Sequence, residues 1–396
     1  MKLTSTSSKW SINWILFPLF VVLLTLNFSK SYAQRVYATT ANVKSISVDN
    51  PTFATDANTA NYATVKSYGG LAFGAGKYSG ELELVFPSSI PANKTTYIRI
   101  DFNEDVLNLL LQGNLGSLLA NVVGGVVLGD HYFTVGARNG NTAVLPTGSS
   151  SGAFASTNLR IVKDAAGLFY IAIRPTAAYD RVYIKDNTDA LLLGANNETK
   201  VYGAFYSSGA GACDPAFATD FEGAGLTAGL LGLGKAGVTN PEFAIDNNPN
   251  TASQVGLGVI SIAGSISQNI YFAEPTVATD ELNIKMNVDP ALLTLGLLNN
   301  VLIETYLGDN LVSSNPANTL LNLDLLTLLG NGTPVRLAVA PGALFDRVKI
   351  TVTSLVGVGL AQNINVYSVT RTAPRPTFTG AQSNALNSCY NSSATL

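Results

Sequence analysis

The feature that most constrains this chain is that it says the same thing twice. Asn50 to Val65 reads NPTFATDANTANYATV, and Asn240 to Val255 reads NPEFAIDNNPNTASQV. Aligned without gaps at an offset of 190, they share Asn, Pro, Phe, Ala, Asp, Asn and Val. A second match sets Tyr179-Asp180-Arg181-Val182 against Phe345-Asp346-Arg347-Val348, with Pro175 against Pro341, at an offset of 166. A third sets Val201-Tyr202 against Val366-Tyr367. Three matches in one order describe a duplicated domain, and a period this long means tandem domains rather than a solenoid. The falling offset gives the first copy extra residues. The Ser/Gly/Asn-rich stretch from Gly136 to Gly167 reads as the long surface loop that holds them.

Within each copy the pattern is β. Glu81 to Phe86 and Tyr97 to Phe102 alternate polar and apolar residues, as do Arg181 to Ile184 and Arg347 to Val352. That is the period of half-buried strands. Clusters of Gly, Asn, Asp and Pro separate them at short intervals, which predicts an all-β chain of two tandem antiparallel β-sandwiches. Leucine-rich stretches at Val106 to Leu119 and Ala291 to Ile303 read as short helices or buried connections. The expected organisation is a signal peptide at 1–33, a first sandwich at 41–206, a Gly/Ala-rich linker at 207–236, a second sandwich at 237–370 and a spacer at 371–396. The ordered matches predict Phe53 and Phe243 buried at equivalent positions.

The N-terminus carries Lys2 and Lys9, then a nearly unbroken apolar run from Trp14 to Leu26, then Ser31 and Ala33 ahead of Gln34. That order is a secretory signal peptide cut after Ala33. The run is short of the ~20 apolar residues a spanning helix needs, so no membrane span is expected in the mature chain. The predicted location is secreted or cell-surface, where disulfides form. Cys213 and Cys389 either pair or belong with cysteines beyond this chain. The tail from Cys389 reads as the opening of a further strand, and hence of a further unit.

Composition narrows the function. Only 12% of residues are charged and the net charge is −3, so no basic face awaits nucleic acid. A single histidine, His131, excludes a His-based zinc site and leaves little for a Ser-His-Asp enzyme; a surface position is its default reading. Gly232 to Gly237 matches GxGxxG, but Pro241 ends any following helix, so chance explains it. Gly74-Ala75-Gly76-Lys77 lacks the Ser/Thr of a phosphate loop. Asp101 to Asp105 lacks the glycine and glutamate of an EF-hand and reads as a solvated acidic turn. Asp180-Arg181 and Asp346-Arg347 read as structural ion pairs at a sheet corner.

The repeated Asp56 and Asp246, with Asn58 and Asn248 two residues on, are the candidate metal ligands. A carboxylate beside a tight polar turn can hold Ca²⁺ together with backbone carbonyls. It can equally cap its own turn through an Asx hydrogen bond.

Ala244-Ile245-Asp246-Asn247-Asn248-Pro249-Asn250-Thr251 resembles the A-x-D-G-D/N-P-x-T turn of galactose-binding-like, discoidin-type β-sandwiches, which have jelly-roll topology. Ala54 to Asn61 is a weaker match. The family glycine is replaced by Ala57 or Asn247, and the tryptophan that usually follows by Ala63 or Ser253. The Leu-rich middle and the Y/F-D-R-V strand resemble repeats of large surface proteins of gliding Gram-negative bacteria. There, such repeats precede Ig-like domains, which accounts for the tail. The resemblance implies a non-catalytic adhesion or display role, with surface glycans or extracellular matrix as partners. The alternative is a carbohydrate-binding module of a larger glycan-active protein.

Overall fold

The computed structural model describes residues 34–56, 58–71, 75–113, 131–145, 155–156, 158–188, 196–209, 215–225, 236–258, 263–355 and 361–372. The signal segment, Cys213, Cys389, the tail, Ala57 and most of the GxGxxG stretch lie outside them.

Strands are numbered along the chain. In the first copy one sheet runs β2 (Thr40–Val43), β6 (Glu81–Ile90), β13 (Tyr179–Thr188), β8 (His131–Asn139) and β9 (Thr142–Ala143). The facing layer runs β11 (Leu159–Asp164), β12 (Phe169–Ile173), β7 (Thr96–Asp101), β14 (Asn196–Ser208), β4 (Ala63–Tyr68) and β3 (Val48–Asp49). Three short strands flank it: β1 (Gln34–Tyr37) on β14, β5 (Tyr78–Ser79) on β4 and β10 (Ala155–Ser156) on β11. In the second copy the first layer runs β15 (Ala216–Ala224), β18 (Ser265–Phe272), β23 (Arg347–Thr353), β20 (Val301–Leu307) and β21 (Asn310–Pro316). Its partner runs β16 (Gly237–Thr239), β17 (Ser253–Gly256), β24 (Asn363–Thr372), β19 (Glu281–Val288) and β22 (Val335–Val339). The order β2-β6-β13-β8-β9 corresponds to β15-β18-β23-β20-β21 and the order β3-β4-β14-β7-β12 to β16-β17-β24-β19-β22, while β11 has no counterpart among the described strands. The pairings described are antiparallel.

Alternation along the strands builds the cores. Leu82 and Leu84 on β6, Val182 and Ile184 on β13, and Ile98 and Ile171 opposite them are all fully buried. Each such side chain contributes roughly 1.5–3 kcal/mol by leaving water. The aromatic that opens the repeated motif is a core anchor in both copies: Tyr179 and Phe345 are each 0% exposed. Helix α1 (Glu104–Leu111) closes the first core with Val106, Leu107 and Leu110. Asn103 caps it, its side chain accepting from the Val106 amide at 3.2 Å, and Glu104 and Asp105 favour its positive end. The acidic turn expected at Asp101 to Asp105 is therefore a helix start. Helix α2 (Pro290–Thr294) is the counterpart, capped by Asp289 at 2.8 Å with proline in its first turn. Helix α3 (Leu323–Gly330) precedes β22.

Four expectations need correction. The segment read as linker contains β15, which pairs along its length with β18. Its Gly/Ala content hid Phe217 and Phe221, whose burial fixes it as a strand. The extra residues of the first copy enter mostly before β8. Ile100 and Met286 face the matched Val201 and Val366, while Arg138 and Tyr306 face the matched Arg181 and Arg347. The stretch from the first pair to the second is nearly twice as long in the first copy. The described residues of Gly136 to Gly167 instead hold strands and tight turns, with Gly140 and Gly167 at φ 59° and 79°. Phe53 is 38% exposed and Phe243 half-buried, because the 3₁₀ turns at Pro51–Ala54 and Pro241–Ala244 direct Ala54 and Ala244 inward. His131 is buried, as described below.

One feature exceeds two separate sandwiches. β15 also pairs with β11 of the first copy, Lys163 opposite Thr219 and Asp164 opposite Ala218. The two layers thereby become one sheet of 14 strands.

Candidate functional site

The repeated turns are built alike. Asp56 Oδ1 accepts from the Asn58 amide at 2.9 Å and its Oδ2 from Asn61 Nδ2 at 2.8 Å. Asp246 Oδ1 accepts from the Asn248 amide at 2.9 Å and its Oδ2 from Thr251 Oγ1 at 2.7 Å. Asn58 and Asn248 each accept from the amide two residues on, at 3.0 and 3.1 Å. Asn247 takes the left-handed conformation, φ 59°, which asparagine tolerates better than alanine. Calcium needs six to eight oxygens. Each turn offers one carboxylate, with both oxygens already engaged by donors of the same loop. Among the described residues no three His, Cys, Asp or Glu side chains gather as a metal site. These bonds make each aspartate a cap of its own turn.

Each turn is tied to the sheet beside it by a cation that sequence reasoning missed. Arg99 Nη1 donates to the Thr59 carbonyl at 2.7 Å, and its guanidinium sits 4.1 Å from the Tyr202 ring centroid. Lys285 Nζ donates to the Pro249 carbonyl at 3.3 Å and lies 5.2 Å from the Tyr367 ring. The only signal was a basic residue at matched strand positions in the two copies. In the first copy Tyr62, 36% exposed, packs against Tyr202 with ring centroids 5.3 Å apart and planes tilted by 59°. Lys200 Nζ donates to Asp101 at 2.8 Å and lies 5.3 Å from the Tyr62 ring.

The repeated aspartates have a structural role the sequence did not expose, but among the described residues the expected ion pair forms only at Asp180-Arg181; Arg347 instead donates to the Gly308 carbonyl at 3.1 Å. Asp180 Oδ1 accepts from the Gly140 amide at 3.0 Å, and Asp346 Oδ1 from the Gly308 amide at 2.9 Å. In both copies the aspartate therefore holds the turn of the neighbouring hairpin. Arg181 grips Asp180 with two bonds, at 2.8 and 2.9 Å. The hydrogen bond from Arg181 holds the Asp180 carboxyl below its ordinary range.

His131 and Asp186 form a buried pair. Asp186 also accepts from Ser67 Oγ at 2.6 Å and Thr199 Oγ1 at 2.7 Å. Phe102 and Phe133 flank the imidazole at 4.5 and 5.0 Å. The aspartate stands between serine and histidine, so the histidine does not address the serine and the group is no hydrolase triad.

Charge concentrates at the joint between the copies. Arg160 Nη1 donates to Asp220 at 2.9 Å and Nη2 to Glu222 at 3.4 Å, while Lys349 Nζ donates to Glu222 at 2.7 Å. Asn269 and Tyr271 donate to Asp220 at 2.8 and 3.0 Å. Burial pushes the Asp220 carboxyl up despite these partners. Burial also pushes Glu222 up, but Arg160 and Lys349 outweigh it and hold that carboxyl low. Lys163 pairs with Glu242 at 3.3 Å, and Lys94 with Glu274. A cleft of about 50 Å³ opens there beside Arg174, Tyr271, Asp346 and Arg347. It has room for a few waters and not for a sugar ring.

The fold is a tandem antiparallel β-sandwich. No protein-family model matches the sequence, and no curated protein matches it. Among solved structures it is similar to the CBM32-1 and CBM32-2 domains of ZmpB from Clostridium perfringens. That likeness has 13% identity, covers 85% of this chain and 93% of that one, and has a TM-score of 0.24. It is also similar to allantoicase from Saccharomyces cerevisiae, with 5% identity, 74% and 76% coverage and a TM-score of 0.24. Likenesses this distant carry no argument about ligand or activity. Among the described residues no helix is long and apolar enough to cross a membrane.

Proposed function

We propose that the chain is an exported, non-catalytic cell-surface protein whose two sandwiches act as one stiff adhesion and display unit. Surface glycans are the partner class. The observation that supports this reading is the sheet shared through β11 and β15. A flexible connection would let two domains sample orientations independently, the default for domains joined by small interfaces. Here main-chain pairing and three cross-copy ion-pair groups fix one orientation. That rigidity suits a surface protein that must hold a binding face away from the cell. The test is to tag the chain in its source cells, shave intact cells with protease and measure attachment to a glycan-coated surface. The reading expects the chain in the protease-accessible fraction and reduced attachment when the gene is deleted. Recovery inside the cell, or unchanged attachment, contradicts it.

A further inference from the structure

The duplication provides an internal control for separating what the fold needs from what it does not. Both copies keep the clip, a basic residue on the second long strand that holds the turn carbonyl and lies over a tyrosine. The clip is therefore structural. Subtracting the second copy from the first leaves three side chains: Tyr62, Lys200 and Asp101. Their counterparts are Ala252, Asn365 and Asn287, and Asn365 Nδ2 donates to Asn287 at 2.9 Å where Lys200 meets Asp101. The second copy folds around a neutral amide pair and an alanine, so the ring and the ion pair are not required by the architecture.

Nor does stability explain them. The Lys200 and Asp101 side chains are 42% and 47% exposed, and exposed ion pairs contribute little to folding. Tyr62 is 36% exposed, so its burial contributes less to folding than a core aromatic's. The same sheet face carries Tyr97, Tyr170 and Phe205 further along, but there Phe217 of β15 and Arg35 cover the rings. Tyr62 and Tyr202 lie at the open end of this aromatic row.

We propose that Tyr62, Lys200 and Asp101, with Tyr202 of the clip supporting the Tyr62 ring, form a glycan-binding site confined to the first copy. Its ligand is a neutral sugar unit. The apolar C–H face of the sugar packs on the outer side of the Tyr62 ring, as apolar groups do on an aromatic surface. A vicinal pair of hydroxyls completes the fit, one accepting from Lys200 and the other donating to Asp101, in charge-assisted bonds. The balanced ion pair disfavours a net charge on the ligand. This assignment rests on the reading of the chain as a binding unit, but its test uses purified protein and does not depend on where the chain resides.

The experiment titrates the full mature chain with neutral hexasaccharides of glucose, mannose and galactose, and with a hexuronate for comparison. Saturation-transfer NMR and calorimetry provide the readout. At least one neutral hexasaccharide should bind, and the hexuronate should bind more weakly. Tyr62→Ala should weaken binding roughly tenfold or more, Tyr62→Phe should restore it, and Lys200→Ala should weaken it without lowering the melting temperature. Lys285→Ala in the second copy should leave binding unchanged. Absence of binding to all three neutral probes at millimolar concentration overturns the proposal, as does full affinity in Tyr62→Ala. Binding that is lost in Lys285→Ala instead also overturns it. Should Tyr62→Ala fail to fold, Asp101→Asn, which copies the second sandwich, makes the same distinction.

Discussion

Asp246 shows how far one residue's chemistry can be read before its neighbours are known. Its spacing to Asn248 and Thr251 allowed either a cation or a cap, and the two filled carboxylate oxygens favour the cap. Asp246→Ala should cost about 1–2 kcal/mol from the lost hydrogen bonds, and melting curves in calcium and in chelator should coincide. Glu83 makes a sharper prediction. It is 1% exposed and accepts from Arg138 at 2.7 Å, Asn42 at 3.1 Å and Arg181 at 3.3 Å. Burial pushes its carboxyl up, but these partners together with Lys44 outweigh that and hold it low. A lowered folded-state pKa means stability that is complete above the unfolded-state value of about 4.3 and is lost as pH falls through the folded value. Glu83→Gln should cost roughly 3 kcal/mol at neutral pH and flatten the acid limb of stability against pH. An acid limb identical to wild type in urea titrations from pH 6 to 2 would count against this role.

Elements were legible where their pattern is local. Alternation from Glu81 to Phe86 and from Tyr97 to Phe102 marks β6 and β7, and the leucines after Asn103 mark α1. β15 was not legible, because its small residues match a linker and only long-range pairing with β18 and β11 makes it a strand. The buried His131 was hidden for the same reason: Asp186 stands on the adjoining strand, 55 residues away in sequence. The Arg99 and Lys285 clips depend on loops distant in the chain. The hairpin turn at Gly308 tests how such elements interlock. It sits at φ 62°, and a Cβ there would lie 2.2 Å from the Arg174 guanidinium. Gly308→Ala should therefore destabilise the protein by about 1–2 kcal/mol through backbone strain alone, with Arg174 displaced from the joint. A melting temperature equal to wild type would show the turn to be more forgiving than its geometry implies.

At the scale of the whole molecule, the duplication and the tandem sandwiches could be read from the sequence, and their union could not. No motif announces the pairing of Lys163 with Thr219, or Arg160 reaching Asp220. Removing the guanidinium leaves two carboxylates short of a buried partner, so Arg160→Ala should cost roughly 3–5 kcal/mol and loosen the joint. The most direct measurement is the distance distribution between spin labels at Thr142→Cys on the first sandwich and Ala338→Cys on the second. Cys213 and Cys389 are replaced by serine, and the distances are read by pulsed electron resonance. One narrow peak is predicted for the otherwise wild-type chain, broadening in Arg160→Ala. A broad or multiple-peaked distribution without that change would mean that the sandwiches move independently, and would contradict the single stiff body on which the functional reading rests.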